Sequence, residues 1–560
     1  METGRQVGAL VHRSGQIDYV IVGDSGQLML PDIGRLRAAE GRFRGLRLVH
    51  THVRGEPLTQ DDLVDLVRLR LDMVIAIQLS PDGEARSLMY AHNTPGVPPY
   101  QLVGPVPIAR AQVDVGKLMA DLEAEFARLS RSREVKAKDG RAILLHVADK
   151  SNRDAARLAD ESMRELRELA RTAGVEVVDA VVQLRERLDP RYVMGEGKLN
   201  ELILRAAELD AETLIFDRNL TPAQAAGVAK VSDLKVIDRT QLILDIFAQR
   251  AETRDGKLQV ELAQLKYNMP RLSQKDDSLS RLTGGIGGRG PGETKIEIGK
   301  RRAKDRVTHL EDQLKQLAKQ RTQRRRKRKR GGVPTVAIVG YTNAGKSTLT
   351  NTLTGSEVLA ENKLFATLDT RSRTLRVGWA GYGDRSVVIT DTVGFIRELP
   401  KDLFAAFRAT FEEAADADLI LHVVDASDPA RDDHIATTEE VLAELKLDAI
   451  PRVLVYNKVD LLEPEARLAL ERSDSHALLL AATQRETTRA LIERLAAELQ
   501  AKWDEAAKAP EAAALEDDID DSDFVETVTE QDATTESTTL EEMLAASGKR
   551  RKKPLSHGPS

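Results

Sequence analysis

The chain has 560 residues, of which 41% are hydrophobic and 31% are charged, so it can bury several cores and is not disordered throughout. It contains no cysteine, which excludes disulfides, thiol catalysis and cysteine-ligated zinc or iron–sulfur sites. The formal net charge of −6 hides two opposite blocks that cancel. Residues 295–330 hold 16 Lys or Arg against 4 Asp or Glu, whereas residues 511–548 hold 13 Asp or Glu and no Lys or Arg.

The sequence contains no run of about 18 apolar residues, which a membrane-spanning helix requires. Its first residues lack the basic segment and the following apolar segment of a secretory signal. We therefore expect a cytoplasmic protein without membrane insertion, and we expect it to act as a monomer.

Residues 1–110 predict a small α/β unit. Two strands around a Ser-Gly turn come first, followed by a strand at residues 46–50, a helix at residues 61–70 and a strand at residues 73–80. The Pro- and Gly-rich segment at residues 93–99 is typical of a boundary between domains.

Two histidines in this unit form a candidate metal site. His50 and His52 end the third predicted strand, and Asp62 lies at the start of the following helix. Residues i and i+2 of a strand share a face, so these side chains could bind Zn²⁺, and the pattern resembles a degenerate JAB/MPN metal-binding motif. The alternative is a helix capped by Thr59 or Asp61 beside two strand histidines, and from the sequence alone we favour it.

Residues 136–250 form the next predicted domain. Strand patterns and helix patterns alternate along it, and Pro222 stands in the first turn of one predicted helix. Such alternation favours a parallel sheet covered by helices. We therefore predict a second α/β domain.

Residues 251–330 change to the spacing of paired helices. Apolar residues recur alternately every three and four positions, as in a/d stripes, and each arm of about 20 residues would reach about 30 Å. We predict an antiparallel helical hairpin with these stripe residues: Leu258, Leu262, Leu265, Met269 and Leu272 on the first arm, and Val307, Leu310, Leu314 and Leu317 on the second.

The predicted tip and end of the hairpin are cationic. Residues 284–292 include six glycines, and a basic run occupies residues 321–330. Such a run often binds polyanions, although a solvated helical linker with a loose loop is the alternative. The predicted RNA-binding residues are Arg281, Arg289, Lys295, Arg324, Arg325 and Arg326.

The most specific motif follows an apolar strand at residues 335–339. Gly340, Gly345, Lys346 and Ser347 have the spacing of a phosphate-binding loop between a strand and a helix. Glycines let backbone N–H groups converge on a β-phosphate, and the helix N-terminus adds positive potential. We expect Lys346 to reach the β- and γ-phosphates and the Ser347 hydroxyl to bind Mg²⁺.

Two further segments complete the predicted phosphate side. Asp391 ends a strand, as a carboxylate on the Mg²⁺ side should, and the N–H of Gly394 can approach the γ-phosphate. Between them and the phosphate loop, Thr367 could close over Mg²⁺ and the γ-phosphate in the triphosphate state only. Thr370 is the second choice for this role, and an ordinary loop threonine is the alternative.

A third strand leads to Asn457, Lys458 and Asp460. The Asp460 carboxylate can accept hydrogen bonds from N1–H and the 2-amino group of guanine, whereas adenine would leave it unpaired, so the motif favours GTP over ATP. We expect Asn457 to tie the base loop to the phosphate loop and Lys458 to line the base. In the last loop, residues 481–483, only the N–H of Ala482 can serve the base.

Together these motifs predict a P-loop GTPase domain over residues 333–503. Its expected catalytic residues are Lys346, Thr367 and Gly394, and its expected Mg²⁺ ligands are Ser347, Thr367 and, through water, Asp391. The expected nucleotide-binding residues are Gly340, Tyr341, Thr342, Asn343, Ala344, Gly345, Lys346, Ser347, Thr348, Phe365, Ala366, Thr367, Leu368, Asp369, Asp391, Thr392, Val393, Gly394, Asn457, Lys458, Val459, Asp460, Ala481, Ala482 and Thr483.

Six segments carry a family resemblance: residues 364–369, 391–396 and 421–428 within this domain, and residues 216–224, 236–250 and 284–293 before it. With them the chain resembles the HflX family of ribosome-associated GTPases over about residues 140–503. It departs from the family pattern at Asp369-Thr370, where the family often has proline before the threonine, and at the loop 481–483.

The resemblance implies a GTPase that binds the 50S subunit and dissociates stalled or idle 70S ribosomes under stress, with the hairpin tip directed toward the peptidyl-transferase centre. It implies GTP and GDP as ligands, Mg²⁺ as cofactor and ribosomal RNA as partner. A second, adenine-nucleotide site is also discussed for the family, but the turn at Gly195–Lys198 lacks the spacing of a phosphate-binding loop, so we expect an ordinary turn.

Phe395 stands where some GTPases carry a glutamine that orients water. We therefore expect slow intrinsic hydrolysis that the ribosome stimulates. The alternative function is a GTP-gated regulatory or assembly switch that binds RNA or the ribosome with little turnover. The acidic residues 504–560 are expected to be disordered, either as a solubilising tail or as an interaction scaffold.

Overall fold

The computed structural model describes most of the chain, which divides into two compact units, Met1–Ile243 and Leu244–Ser560. Within the described residues, no helix is both long and apolar enough to cross a membrane. The described residues are 4–26, 28–31, 33, 43–80, 82–133, 140–150, 155–272, 295–330, 333–355, 364–365, 371–379, 383–397, 414–474 and 476–508.

The first unit begins with a six-stranded sheet. Its strands are β1 (Val7–His12), β2 (Ile17–Val22), β3 (Leu46–His52), β4 (Met73–Leu79), β5 (Ala85–Asn93) and β6 (Tyr100–Pro107), in the order β2-β1-β3-β4-β5-β6. β3 and β4 are parallel, and helix α1 (Gln60–Arg68) connects them. Leu66 of α1 packs with Leu10 and Leu48 in the core of this sheet. The α/β elements predicted for residues 1–110 are therefore present, while their separation from the predicted domain at residues 136–250 stays a prediction, since both lie in the unit Met1–Ile243.

The predicted boundary at residues 93–99 is wrong. This segment joins β5 to β6, which pair antiparallel on either side of it, with Asn93 opposite Tyr100. Proline and glycine mark tight turns as well as linkers, so only the strand pairing distinguishes the two. The sequence also predicted no element at helix α2 (Val115–Arg133), in which Met119 and Leu122 are buried.

A four-stranded parallel sheet follows in the same unit. Its strands are β7 (Arg141–Asp149), β8 (Glu176–Arg185), β9 (Thr213–Phe216) and β10 (Lys235–Asp238), in the order β10-β9-β7-β8. The intervening helices are α3 (Ala155–Thr172), α4 (Glu196–Glu208) and α5 (Pro222–Ser232). Thr221 caps α5 and exchanges hydrogen bonds with Gln224, which places Pro222 in the first turn as predicted. The alternation therefore yields the expected parallel sheet.

Three helices open the second part of the chain: α6 (Arg239–Arg250), α7 (Arg254–Leu272) and α8 (Lys295–Arg330). Leu262 of α7 and Leu310 of α8 are buried members of the predicted stripes. Arg306 donates to Glu261 with both guanidinium nitrogens, at 2.7 and 2.9 Å. α7 and α8 therefore pack against each other along these stripes.

Two ion pairs between α7 and α8 show in which direction the two helices run relative to each other. Glu261 and Arg306 each precede a stripe residue, whereas Lys266 and Glu311, which are 2.7 Å apart, each follow one. Equivalent flanking positions face each other when two packed helices run in opposite directions. The predicted antiparallel hairpin is thus confirmed, while its tip at residues 273–294 lies outside the described residues.

The second arm of the hairpin is longer than predicted. α8 spans 36 residues, which corresponds to about 54 Å, against the expected 20 or so. Lys, Arg and Gln are good helix formers, and neither Gly nor Pro interrupts the chain between residues 301 and 330. The basic run therefore continues the helix.

The remaining sheet belongs to the predicted GTPase domain. Its strands are β11 (Thr335–Val339), β12 (Arg371–Trp379), β13 (Gly383–Asp391), β14 (Leu419–Asp425), β15 (Arg452–Asn457) and β16 (Leu478–Leu479), in the order β12-β13-β11-β14-β15-β16. Neighbours are parallel except for β12 and β13. The helices are α9 (Lys346–Thr354), α10 (Arg431–Glu444), α11 (Pro464–Ser473) and α12 (Arg489–Lys508). The parallel strands bring their carboxyl ends to one edge, where ligands of such sheets bind.

The last helix ends at Lys508, a few residues beyond the predicted end of the domain. The acidic segment that follows lies outside the described residues.

Truncation of the hairpin stripe should loosen both helices. Leu310 is fully buried, whereas Leu317 on the same stripe is partly exposed. Leu310→Ala should cost about 2–5 kcal/mol, because it removes buried contacts and leaves a cavity, and Leu317→Ala should cost less. Hydrogen–deuterium exchange of the full chain should show faster amide exchange in α7 and α8 for Leu310→Ala. Equal exchange in the two variants would contradict this packing.

Candidate nucleotide site

The phosphate loop lies directly against two neighbouring residues, the backbone of Val423 and the side chain of Asn457. At Gly340, φ is +145° and an added β-carbon would lie 2.1 Å from the carbonyl oxygen of Val423. At Gly345, φ is +90° and a β-carbon would lie 2.2 Å from Nδ2 of Asn457. No other residue fits these two positions, because both the backbone angle and the space require glycine. The loop then leads into helix α9, and the backbone N–H groups at the N-terminus of this helix point toward the concave side of the loop.

Lys346 is held at the centre of the loop. Its ammonium group donates to the carbonyl oxygens of Tyr341 at 2.7 Å and of Gly340 at 3.1 Å. Burial lowers the pKa of Lys346 to about 8, although the nearby Asp391 carboxylate opposes the shift. Phosphate oxygens are the partners that such a desolvated cation would attract most strongly.

Ser347 and Asp391 meet beside this lysine. The Ser347 hydroxyl donates to Oδ2 of Asp391 at 2.7 Å. A β-carbon at Gly394 would lie 2.9 Å from Nζ of Lys346 and 2.9 Å from Cα of Thr342. The structure therefore brings together the hydroxyl, the carboxylate and the close-approaching glycine that the sequence predicted for the phosphate side.

The backbone after Asp391 is joined to the phosphate loop. The N–H of Thr342 donates to the carbonyl of Phe395 at 2.8 Å, and the N–H of Phe395 donates to the carbonyl of Gly340 at 3.1 Å. The Phe395 side chain is 1% exposed and packs in the interior. The position after Gly394 thus contributes packing and no side-chain hydrogen bond.

Sequence reasoning missed the role of the Tyr341 side chain. Its ring stacks on His434 with centroids 3.7 Å apart, and its hydroxyl accepts from the backbone N–H of Arg397 at 2.9 Å. These contacts fix one end of the phosphate loop to α10 and to the segment after Gly394. The motif itself carries no signal for them, since its four intervening positions accept many residues.

Asn457 connects the base side to the phosphate side as predicted. Its Nδ2 donates to the carbonyl of Ala344 at 2.8 Å, and its Oδ1 accepts from the N–H of Ala482 at 2.8 Å. The Ala482 N–H, which we expected to serve the base, is therefore engaged by Asn457. The Asn457 amide contacts the phosphate loop through its nitrogen and the loop at residues 481–483 through its oxygen. The sequence alone did not show the second contact.

Lys458 and Asp460 lie at the mouth of the site. Lys458 has φ of +61° and pairs with Oδ2 of Asp425 at 2.7 Å. The Asp425 partner at the end of β14 was not predicted as a site residue. Asp460 is exposed in a short 3-10 turn, so its carboxylate is accessible to a base.

The segment between the phosphate loop and Asp391 is described only in part. Phe365 has φ of +52°, is 2% exposed and packs edge-on against Phe247 of α6, with ring centroids 4.7 Å apart. The predicted residues Ala366, Thr367, Leu368 and Asp369 lie outside the described residues, as do Arg281 and Arg289 of the hairpin tip.

The other predicted residues are placed as follows: Gly340 to Thr348 in the phosphate loop and first turn of α9, Asp391 to Gly394 after β13, Asn457 to Asp460 after β15, and Ala481 to Thr483 after β16. Lys295 begins α8, and Arg324, Arg325 and Arg326 lie in its last third.

This fold and this set of loops define a P-loop GTPase. Residues 335–458 match the family described as "50S ribosome-binding GTPase", residues 160–248 match "GTP-binding GTPase N-terminal", and residues 250–328 match "GTP-binding GTPase Middle Region".

Curated relatives extend this result. The chain is 49% identical over 304 residues to the GTPase HflX of Caldanaerobacter subterraneus subsp. tengcongensis, covering 54% of this chain and 70% of the relative. It is 44% identical over 322 residues to the GTPase HflX of Escherichia coli, covering 58% and 74%. The chain therefore belongs to the HflX family, and it is a GTPase.

A solved structure is also similar, a GTP-binding protein from Sulfolobus solfataricus in complex with GDP. It has 22% sequence identity and a TM-score of 0.36, covering 63% of this chain and 99% of that one.

Changing Asp460 should change the base preference. Asp460→Asn turns one of the two acceptor oxygens into an NH2 donor, which opposes the 2-amino group of guanine but can donate to the carbonyl of xanthine at that position. We expect GTP affinity to fall about 10- to 100-fold and xanthosine triphosphate to bind better than to the wild type. Glu463→Gln removes an exposed carboxylate nearby and should leave both affinities unchanged. Calorimetric titration measures them, and unchanged GTP affinity in Asp460→Asn would reject the assignment.

Proposed function

We propose that this GTPase binds the 50S ribosomal subunit and dissociates stalled or idle 70S ribosomes under stress, with hydrolysis stimulated by the ribosome. One feature carries the proposal: the cationic helix α8 leads into the first strand of the GTPase domain. Residues 331–334 are all that lie between Arg330 and β11. The family description "50S ribosome-binding GTPase" supports the same target. A ribosomal target places the action of the protein in the cytoplasm.

The charge of α8 suits ribosomal RNA. This helix carries 16 of the 83 Lys and Arg residues of the chain within 36 residues. A helix of about 54 Å with this charge can neutralise several phosphates at once, which gives strong and salt-dependent binding. Its apolar stripe packs on α7, so the hairpin can present the charged positions without losing its support.

A contact near the nucleotide site offers a path to the hairpin. Phe365 precedes Thr367, which we propose responds to the γ-phosphate, and it packs against the buried Phe247 of α6. α6 ends at Arg250, and the first hairpin helix begins at Arg254. A rearrangement around Thr367 on GTP binding would therefore disturb the support of the hairpin. We propose that GTP favours the ribosome-bound state in this way and that hydrolysis releases the protein.

The residues of the phosphate side fit a magnesium ion. Ser347 and Asp391 present a hydroxyl and a carboxylate 2.7 Å apart, and oxygen ligands of this kind suit Mg²⁺. We propose that Ser347 binds the ion directly and Asp391 through water, with Thr367 added in the GTP state. The ion would neutralise charge on the β- and γ-phosphates, while Lys346 and the backbone N–H groups of the loop hold and orient them.

Slow intrinsic hydrolysis follows from the interior position of Phe395. A phenylalanine side chain cannot hydrogen-bond the attacking water, and its burial leaves no side-chain polar group at that position. We propose that the ribosome supplies the missing orientation, as partners of other GTPases do in trans. The same observation also favours the second candidate function, a GTP-gated ribosome-binding or assembly switch with little turnover.

Two measurements separate these functions. Sucrose-gradient sedimentation of 70S particles with the protein and a non-hydrolysable GTP analogue should show free 30S and 50S subunits. Multiple-turnover hydrolysis should accelerate when 50S subunits are added, and Lys346→Ala should remove both effects because it removes the main phosphate cation. Splitting without nucleotide would reject the coupling to GTP. Equal turnover with and without 50S, together with intact binding, would favour the switch.

Neutralising the basic run should weaken ribosome binding. The triple change Arg324→Gln, Arg325→Gln and Arg326→Gln removes three charges from α8. If these residues contact phosphates, the slope of log affinity against log salt concentration should fall by about 2–3. The matched control changes three exposed arginines of α11 and α12 to glutamine: Arg467→Gln, Arg489→Gln and Arg494→Gln. It should leave the slope unchanged. Filter binding to 50S subunits at several salt concentrations measures the slopes, and equal slopes would reject the RNA-binding assignment.

A further inference from the structure

A second cluster of chemically reactive side chains lies in the first unit, outside the residues that match the family. The Nε2 atoms of His50 and His52 are 2.8 Å apart. Nε2 of His50 lies 3.2 Å from Oδ1 of Asp62, and Nε2 of His52 lies 3.6 Å from Oδ2 of the same carboxylate. Within the described part of the chain, this is the group of three His, Asp or Glu side chains close enough to hold a metal ion.

Both histidines occupy positions of β3 that face the apolar core of the sheet. Alternate residues of β3 face the core, and Leu46 and Leu48 of this face are buried in it. His50 and His52 continue the same row and are each 1% exposed. Burying an imidazole costs free energy unless its nitrogen atoms find partners, so two adjacent ones in a core row require a compensating interaction.

The helix cap explains how Asp62 reaches this row. Thr59 caps α1 and donates through its N–H and its hydroxyl to Oδ2 of Asp62, both at 2.7 Å. This confirms the capped helix that the sequence favoured. The cap uses Oδ2 and directs Oδ1 toward His50, so capping and convergence on the histidines occur together and are not alternatives.

The proton count leaves a lone pair of His52 pointing into the cluster. Nδ1 of His52 lies 2.8 Å from the carbonyl oxygen of Glu56, which can only accept, so the proton of neutral His52 sits on Nδ1 and its Nε2 carries a lone pair. That lone pair faces the Asp62 carboxylate and Nε2 of His50. A histidine that donates its other N–H to a backbone carbonyl is the usual arrangement of a metal ligand.

The separations match those of ligands around one ion. Ligand atoms about 2.0–2.1 Å from a tetrahedral zinc ion lie about 3.3 Å apart. Nε2 of His50 lies 2.8 Å from Nε2 of His52 and 3.2 Å from Oδ1 of Asp62, and ligand atoms of all three residues lie within 4.8 Å of one another. We propose that His50 Nε2, His52 Nε2 and Asp62 Oδ1 bind one Zn²⁺ ion. Two imidazoles and a carboxylate suit zinc and disfavour Mg²⁺, which prefers oxygen ligands.

Three protein ligands leave a fourth position, which a water molecule or a small ligand fills. The side chain of Asp62 is 13% exposed, whereas those of the histidines are 0% and 1% exposed, so the fourth position is reached from the Asp62 side. Zinc centres with three protein ligands and one exchangeable position are of the catalytic type rather than the closed structural type.

The full-length, untagged protein tests the site. After growth with zinc and dialysis, elemental analysis should find about one zinc per chain in the wild type. Asp62→Asn keeps an oxygen for the Thr59 cap but loses the anionic ligand, and retained zinc should fall at least about tenfold. Asp61→Asn is the matched control, since the neighbouring Asp61 bonds Asn200 instead, and it should retain zinc like the wild type.

Cobalt substitution adds a readout of the ligand geometry. Co²⁺ in the wild type should show the intense visible absorption of a four-coordinate ion, and Asp62→Asn should lose it while keeping the rate of GTP hydrolysis. A wild type that retains no zinc, or an Asp62→Asn variant that retains as much as the wild type, would overturn the proposal and leave a purely hydrogen-bonded cluster.

Discussion

The nucleotide site depends on one close approach between backbones. Gly340 lies against strand β14 so tightly that a β-carbon would collide with the carbonyl of Val423. This contact brings the phosphate loop within reach of Asn457, which bonds the carbonyl of Ala344 on one side and the N–H of Ala482 on the other. The loops that surround a nucleotide thereby form one hydrogen-bonded unit. Within that unit, Lys346 is held by the carbonyls of Gly340 and Tyr341, and Ser347 bonds Asp391.

The two ends of helix α8 in the hairpin differ in the contacts and charge of their side chains. Near its beginning, α8 packs on α7 through a buried stripe and through ion pairs such as Arg306 with Glu261. Toward its end the same helix becomes almost wholly cationic and continues to the start of β11. This helix therefore joins the cationic surface that we propose binds RNA to the GTPase domain, and a displacement of one end would be passed to the other.

The first unit also buries polar side chains in its core, at the zinc site that we propose. His50 and His52 replace apolar residues in the core row of β3, and α1 brings a carboxylate to them through its own cap. A bound cation would offset the free-energy cost of burying the two imidazoles.

The sequence by itself determined the order of the nucleotide motifs, the parallel sheets and the helical hairpin, because each depends on the spacing of residues close together in the chain. It also placed Asn457 correctly, since that role follows from the motif. Only the tertiary structure decided that Lys458 pairs with Asp425, that the Ala482 N–H is engaged by Asn457, and that Asp62 meets the two histidines. These contacts depend on which strands become neighbours and on where a helix packs, and local spacing carries no information about either.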